Sequence, residues 1–533
     1  MNRKLIRILL ILSLGIIPLL VVQPALADCN PNVATANNQT ILCTVAGGAE
    51  TTSVTNGGFD NITVDVAPGA QITVAGATAI VLSNGIAIDN EGTVDSSTQI
   101  GALVTTQAGN ANTIAIDNVL STSIIEGATQ GLAATANGNG GIDVNNAGRI
   151  TGQSNMGANL LSNGNGNIDV TNSLGATIEA TGGNTGLSAV MNGTGNIIIL
   201  NNGTVDSNNQ HAIVATSNAG GDISVTSTGT VEAFSVGIVT NATGDGITTL
   251  NNSGDVTAVT GMIARADDGD VTVMNTGGTI TASTGDGIRV EANGGGDDAI
   301  VNITHAVGAS ISAGADGIAV LTAAGDITVD GGGSVTATTG DGITAFSSGA
   351  GVVTVDVSGT ISGGSDGIRA QSNTGSVSVT TTNTLTGTNG FGVLAFTNSG
   401  TITVDSSSAI TSGDDGINAQ SQNGPVTVTS RSTINAGDMG ISAFGQLGAI
   451  TVDSSGDITS TGYGIYAQTN NGNADVTSDN DINAGSYGIY SFTNLGNATI
   501  DSTGDVTSTG LGLYSFSSNG STNVFNDGDV SAS

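Results

Sequence analysis

Gly-Ile, or a near equivalent, recurs at Gly416, Gly440, Gly464, Gly488 and Gly512, once every 24 residues. A fixed period of roughly 20 to 50 residues marks units that cannot bury a core alone and are stabilised by stacking on copies of themselves. The mark continues upstream at Gly392, Gly367, Gly342, Gly317, Gly287, Gly261, Gly237, Ala212, Gly186, Gly157, Gly131, Gly101 and Ala79, in steps of 22 to 30 residues. Eighteen marks define an array over residues 79–533, preceded by a cap segment, 28–78, and a leader, 1–27.

The unit Gly440–Tyr463 reads GISAFGQLGAITVDSSGDITSTGY. Its apolar residues alternate in three short runs, Ile441 and Ala443, then Ile450 and Val452, then Ile458, which is the signature of half-buried strands. Gly, Asn, Ser and Asp separate the runs and supply turns, while helix-forming Leu, Glu and Lys are scarce. Three strands and three turns per unit predict an all-β fold, a right-handed parallel β-helix of about 18 rungs of 24–25 residues. Stacked at about 4.8 Å, those rungs form a rod roughly 85 Å long.

Arg3, Lys4 and Arg7 account for three of the 8 basic residues, so the rest of the chain sets five against 43 acidic ones, a net charge near −38. Nucleic acid and anionic membrane both require clustered Lys and Arg, and neither is an expected partner. The basic start, the apolar run Ile8–Val22 broken by Pro18, and the small-residue end Ala25-Leu26-Ala27 predict a secretory signal peptide cleaved before Asp28. A membrane anchor would need about 20 apolar residues, more than this run provides. Cys29 and Cys43 are the only cysteines. An oxidising compartment favours a disulfide between them that closes the N-terminal cap. The alternative is a free or metal-binding pair, although two thiols without a nearby histidine make a poor zinc site.

A longer rhythm overlies the rungs. The fifth position after each mark runs Phe346, Gln371, Phe396, Gln420, Phe444, Gln468, Phe492, then Phe516, and a second-strand position runs Asp356, Thr380, Asp405, Thr429, Asp453, Thr477, Asp501. Strand parity turns both series outward. Carboxylates on consecutive rungs would repel by ~0.9 kcal/mol per pair even in bulk water, and interposed Thr doubles their separation to about 9.6 Å, near the Debye length. The other reading of these carboxylates, with the acidic turn Asp414-Asp415, is calcium uptake, without the repeat motif of dedicated calcium-binding β-helices. No other cofactor is expected.

Twelve of the 14 aromatic residues lie at or beyond Phe346. Tyr466, Tyr490 and Tyr514 occupy equivalent outward positions beside Phe444, Phe492 and Phe516, a stripe suited either to contact with a protein or sugar or to cross-rung stacking. His211 and His305 are the only histidines, accompany no catalytic motif, and read as surface or turn residues. Asp267-Asp268 near Arg265 and Asp297-Asp298 near Arg289 are the local candidates for a polysaccharide lyase or glycosidase centre, the main alternative to a non-catalytic rod.

The leader, the early Cys pair in Asp28-Cys29-Asn30 to Ile41-Leu42-Cys43-Thr44, and rungs of the type G-x-I-T-V-D-S-S-G-D-I-T-S resemble the passenger domain of a Gram-negative autotransporter. The resemblance implies export, passage through the outer membrane, and display at the cell surface or release. It also implies an adhesin-like, non-catalytic role with partners among host or neighbouring-cell proteins and glycans, including self-association. A translocator barrel in cis is expected of that family, and because Asp529-Val530-Ser531-Ala532-Ser533 stops within a third strand, the sequence is expected to be a fragment of a longer polypeptide.

Overall fold

The computed structural model describes residues 28–45, 49–293 and 299–533, and every regular element in them is a β-strand. The leader and Asp297-Asp298 lie outside the described residues. The unit at Gly440 forms strands Ile441–Gly445, Ile450–Ser454 and Ile458–Ser460. Because side chains alternate across a strand, Ile441, Ala443, Ile450, Val452 and Ile458 all point inward and are buried. Each strand pairs in parallel with its equivalent one rung on, Ile441 with Ile465, Ile450 with Ala474, Ile458 with Ile482.

Repetition builds three sheets around one apolar core. Sheet I collects the Gly-Ile strands from Val54–Thr55 to Leu513–Ser517, sheet II the second strands from Thr40–Thr44 to Thr522–Asn526, and sheet III the third strands from Gln71–Val74 to Val530–Ala532. The result is the right-handed parallel β-helix that the period predicts. It has about 19 turns, not 18. The additional turn begins at Val54, which pairs with Ile80 although Ser53 replaces the small mark residue, so the winding starts before residue 79. Asp28–Asn30 alone runs antiparallel, against Thr40–Thr44, and sets Cys29 opposite Cys43 in a buried disulfide.

The mark itself has a steric cause. A Cβ on Gly440 would press into Cγ2 of Ile458 and lie 2.5 Å from the carbonyl oxygen of Gly464, so the first strand approaches the third-strand isoleucine too closely for any side chain.

One interior feature went unforeseen. The last inward position of sheet II is polar, and its side chains form a buried ladder along the axis. Asn90 donates to Asn118 at 2.8 Å, Asn118 to Asn146 at 2.7 Å, Asn146 to Asn172 at 2.8 Å and Asn172 to Asn201 at 2.8 Å. Further along, Asn252 donates to Asn275 at 3.0 Å, and Asn275 donates to Nδ1 of His305 at 3.2 Å. Nε2 of His305 meets the Ser334 carbonyl at 3.0 Å, an acceptor that fixes the proton on Nε2. His305 is therefore a buried ladder member, contrary to the surface or turn position read from the sequence, whereas His211 does lie at a turn and is half-buried. In the second half of the rod serines take over the position, at Ser406, Ser430, Ser454, Ser478 and Ser502.

The two-rung rhythm is present in the pairing: Phe346 lies beside Gln371 and Gln371 beside Phe396, while Asp356 lies beside Thr380 and Thr380 beside Asp405. It also reaches upstream, where Asp222, Asp270 and Asp326 each accept the backbone N–H of the next-rung apolar residue, Ile247, Ile300 and Val352. Carboxylates are not spaced everywhere. Asp65, Asp89 and Asp117 sit on consecutive rungs, and burial, then Asp65, Asp117 and Glu91, raise the Asp89 pKa.

Candidate interaction face

Sheet I turns its outward residues to one side of the rod, and in the last rungs that side is aromatic. Tyr466, Tyr490 and Tyr514 align in register, as do Phe492 and Phe516. Rung spacing brings rings of equivalent residues to stacking distance. Tyr466 and Tyr490 lie 5.1 Å apart at 8°, Tyr490 and Tyr514 4.9 Å at 8°, and Phe492 and Phe516 5.4 Å at 9°. Phe444 stands apart from these stacks, because Gln468 occupies the rung between it and Phe492.

Two members were missed by sequence reasoning. Tyr463 and Tyr487, each just before a mark glycine, stack at 5.1 Å and 7° in a second column. They meet the first column edge-on, Tyr463 at 5.3 Å from Tyr466 and Tyr487 at 6.1 Å from Tyr490. Their position relative to Gly464 and Gly488 was the available signal. Burial and the surrounding phenols push the Tyr490 pKa up to about 12, so its hydroxyl stays protonated. Tyr466 donates its hydroxyl to Oε1 of Gln468.

The outward positions of this segment, Ser442, Phe444, Tyr466, Gln468, Tyr490, Phe492, Tyr514 and Phe516, carry no charge, and Leu447, Leu495 and Leu511 are exposed beside them. Upstream, five of the residues just before a mark are acidic, Asp286, Asp316, Asp341, Asp366 and Asp415, with Phe391 interrupting the series. The Oδ1 atoms of Asp286, Asp316, Asp341 and Asp366 each accept the equivalent N–H of the next rung at 2.8–3.1 Å, and that of Asp415 accepts from Met439 at 3.0 Å. Asp341 and Asp366 share Arg369, at 3.0 and 2.7 Å. Burial dominates and raises the pKa of Asp316, Asp366 and Asp415, the last to about 6. Asp414, Asp415 and Asp438 bring carboxylate oxygens within 4.8 Å of one another, the geometry nearest to a cation site among the described residues.

The suggested catalytic groups are arranged differently. Asp267 and Asp268 are exposed in a turn, while Arg265 pairs with Glu291 at 2.6 Å and Arg289 pairs with Glu291 and Asp286 at 2.5 and 3.4 Å. Hollows of about 270 to 390 Å³ lie along the surface of the described residues, one of them lined by Asp457, Asp481 and Asp505 on consecutive rungs, apart from these arginines and from the aromatic columns. No protein-family model matches the chain, and no curated protein or solved structure is similar to it above chance.

Proposed function

We propose that the chain is an exported, surface-displayed or secreted rod of the autotransporter-passenger kind, whose work is adhesion-like interaction and not catalysis. One observation carries the reading: a chain with formal net charge −35 keeps one uncharged aromatic face with exposed leucines. Tyr and Phe concentrate binding energy at protein surfaces, and a stretch without charges is where a partner meets the least electrostatic opposition. The partner is a protein or glycan of a host or neighbouring cell.

The test is Tyr490→Ser with Tyr514→Ser in the full chain displayed on cells. Cell–cell adhesion should fall several-fold at unchanged surface level and unchanged β-sheet circular dichroism. Undiminished adhesion refutes the interaction role.

A further inference from the structure

The aromatic columns offer a partner less than their composition suggests. Tyr490 lies between Tyr466 and Tyr514, each within 5.1 Å and 8° of parallel, so both faces of its ring are covered. A sugar or aromatic side chain that binds by lying flat on a ring finds no free face there. What remains toward solvent is ring edges and phenolic hydroxyls, carried by rings whose centroids repeat along the rod at 4.9–5.1 Å in the Tyr466 column and at 5.1 Å in the Tyr463 column, with the Tyr466 hydroxyl donated to Oε1 of Gln468. The rings are half-buried and hold one another in place, so few side-chain rotamers remain to be frozen on binding.

Charge narrows the ligand. The face carries no cation to pair with an anionic polymer, Asp414, Asp415 and Asp438 border it, and the whole chain is strongly negative. Sulfated or uronic-acid glycans, nucleic acid and anionic membrane are therefore repelled on approach. Identical hydrogen-bonding groups at one constant spacing suit a polymer that repeats its own hydroxyls.

We propose that this face binds an uncharged polysaccharide lying along the rod axis, held by hydrogen bonds from the tyrosine hydroxyls and not by stacking on their rings. The proposal rests on the interaction role argued above and names its ligand class.

Replacing Tyr466, Tyr490 and Tyr514 together by Phe removes the hydroxyls and keeps the stack. The full chain and this variant are titrated with dextran, a soluble β-glucan and a galactomannan, and with polygalacturonate as the anionic comparison. The intact chain should bind at least one uncharged polymer and not polygalacturonate, and the Phe variant should bind it roughly 10-fold or more weakly, since each lost neutral hydrogen bond accounts for about 2- to 10-fold. Tyr463→Phe with Tyr487→Phe should give a smaller loss. Failure of all three uncharged polymers to bind, tighter binding of polygalacturonate, or unchanged affinity in the Phe variant each overturns the proposal. If the Ser variants abolish cell adhesion while the Phe variant adheres normally, the interaction role stands, the partner is an apolar protein surface, and the glycan assignment falls.

Discussion

Replacing Asp415 by Asn should make its rung more stable at neutral pH and leave it unchanged in acid. The side chain is 3% exposed and accepts the Met439 N–H at 3.0 Å and the Asn418 side-chain amide at 2.7 Å. Burial, aided by Asp414 and Asp438, outweighs those two bonds and lifts the pKa from 3.8 to about 6. A rise of that size corresponds at most to roughly 3 kcal/mol. The sign follows from proton counting. Between the two pKa values the folded rung holds a proton that the unfolded chain has released, so stability falls as pH rises from 3.8 to about 6 and is level above it. In Asp415→Asn the side-chain oxygen still accepts from Met439, and the Asn418 and Gln420 amides turn over together to meet the new NH2 group. Hydrogen exchange read by mass spectrometry over residues 412–445, comparing variant and parent at the same pH, isolates this rung from the rest of the array. At pH 7.5 in EGTA the variant should exchange about 5- to 100-fold more slowly, equivalent to about 1 to 3 kcal/mol, and the ratio should approach one below pH 4. A variant that exchanges faster at pH 7.5, or a ratio independent of pH, refutes the reasoning. With calcium added, a cation held by Asp414, Asp415 and Asp438 would reverse the effect, so the same measurement decides the calcium expectation.

Other positions give predictions of different sign. Burial holds the His305 pKa below 6.5, so His305 costs stability as pH falls through 6.5, when the unfolded chain gains a proton that the ladder cannot accommodate. His305→Asn should extend the ladder and reduce the loss of thermal stability between pH 7.5 and pH 5. Asn172→Ala strands the Asn146 donor and removes the bonds to Asn201 and Thr204, with an expected cost of about 2 to 4 kcal/mol in urea unfolding followed by a probe in the neighbouring turns. Gly464→Ala sets a Cβ against Ile482 and 2.5 Å from the Gly488 carbonyl, and should lower the midpoint of thermal unfolding by an amount matching at least 1 to 3 kcal/mol.

These positions also show what kind of information the sequence holds. The rung was legible because alternation at Ile441, Ala443, Ile450, Val452 and Ile458 states directly which side chains enter the core. The turn at Val54 was not, because Ser53 stands there in place of the glycine or alanine of the mark. Asn90, Asn118, Asn146, Asn172 and Asn201 read as turn formers, since asparagine favours turns whether its amide meets water or protein. Parity would have found them: in Ile168-Asp169-Val170-Thr171-Asn172 the first, third and fifth residues share the inner face, and the same count buries His305 behind Val301 and Ile303. Outwardness of the tyrosines was likewise a matter of parity. What parity leaves open is which way a ring lies once it is outside, and here the distance between rungs decides. Chains one rung apart place equivalent side chains at a separation close to that of stacked aromatic rings, so identical neighbours satisfy each other first. Composition alone suggests an aromatic surface with open faces; the axial repeat instead covers both faces of Tyr490 with its neighbours Tyr466 and Tyr514.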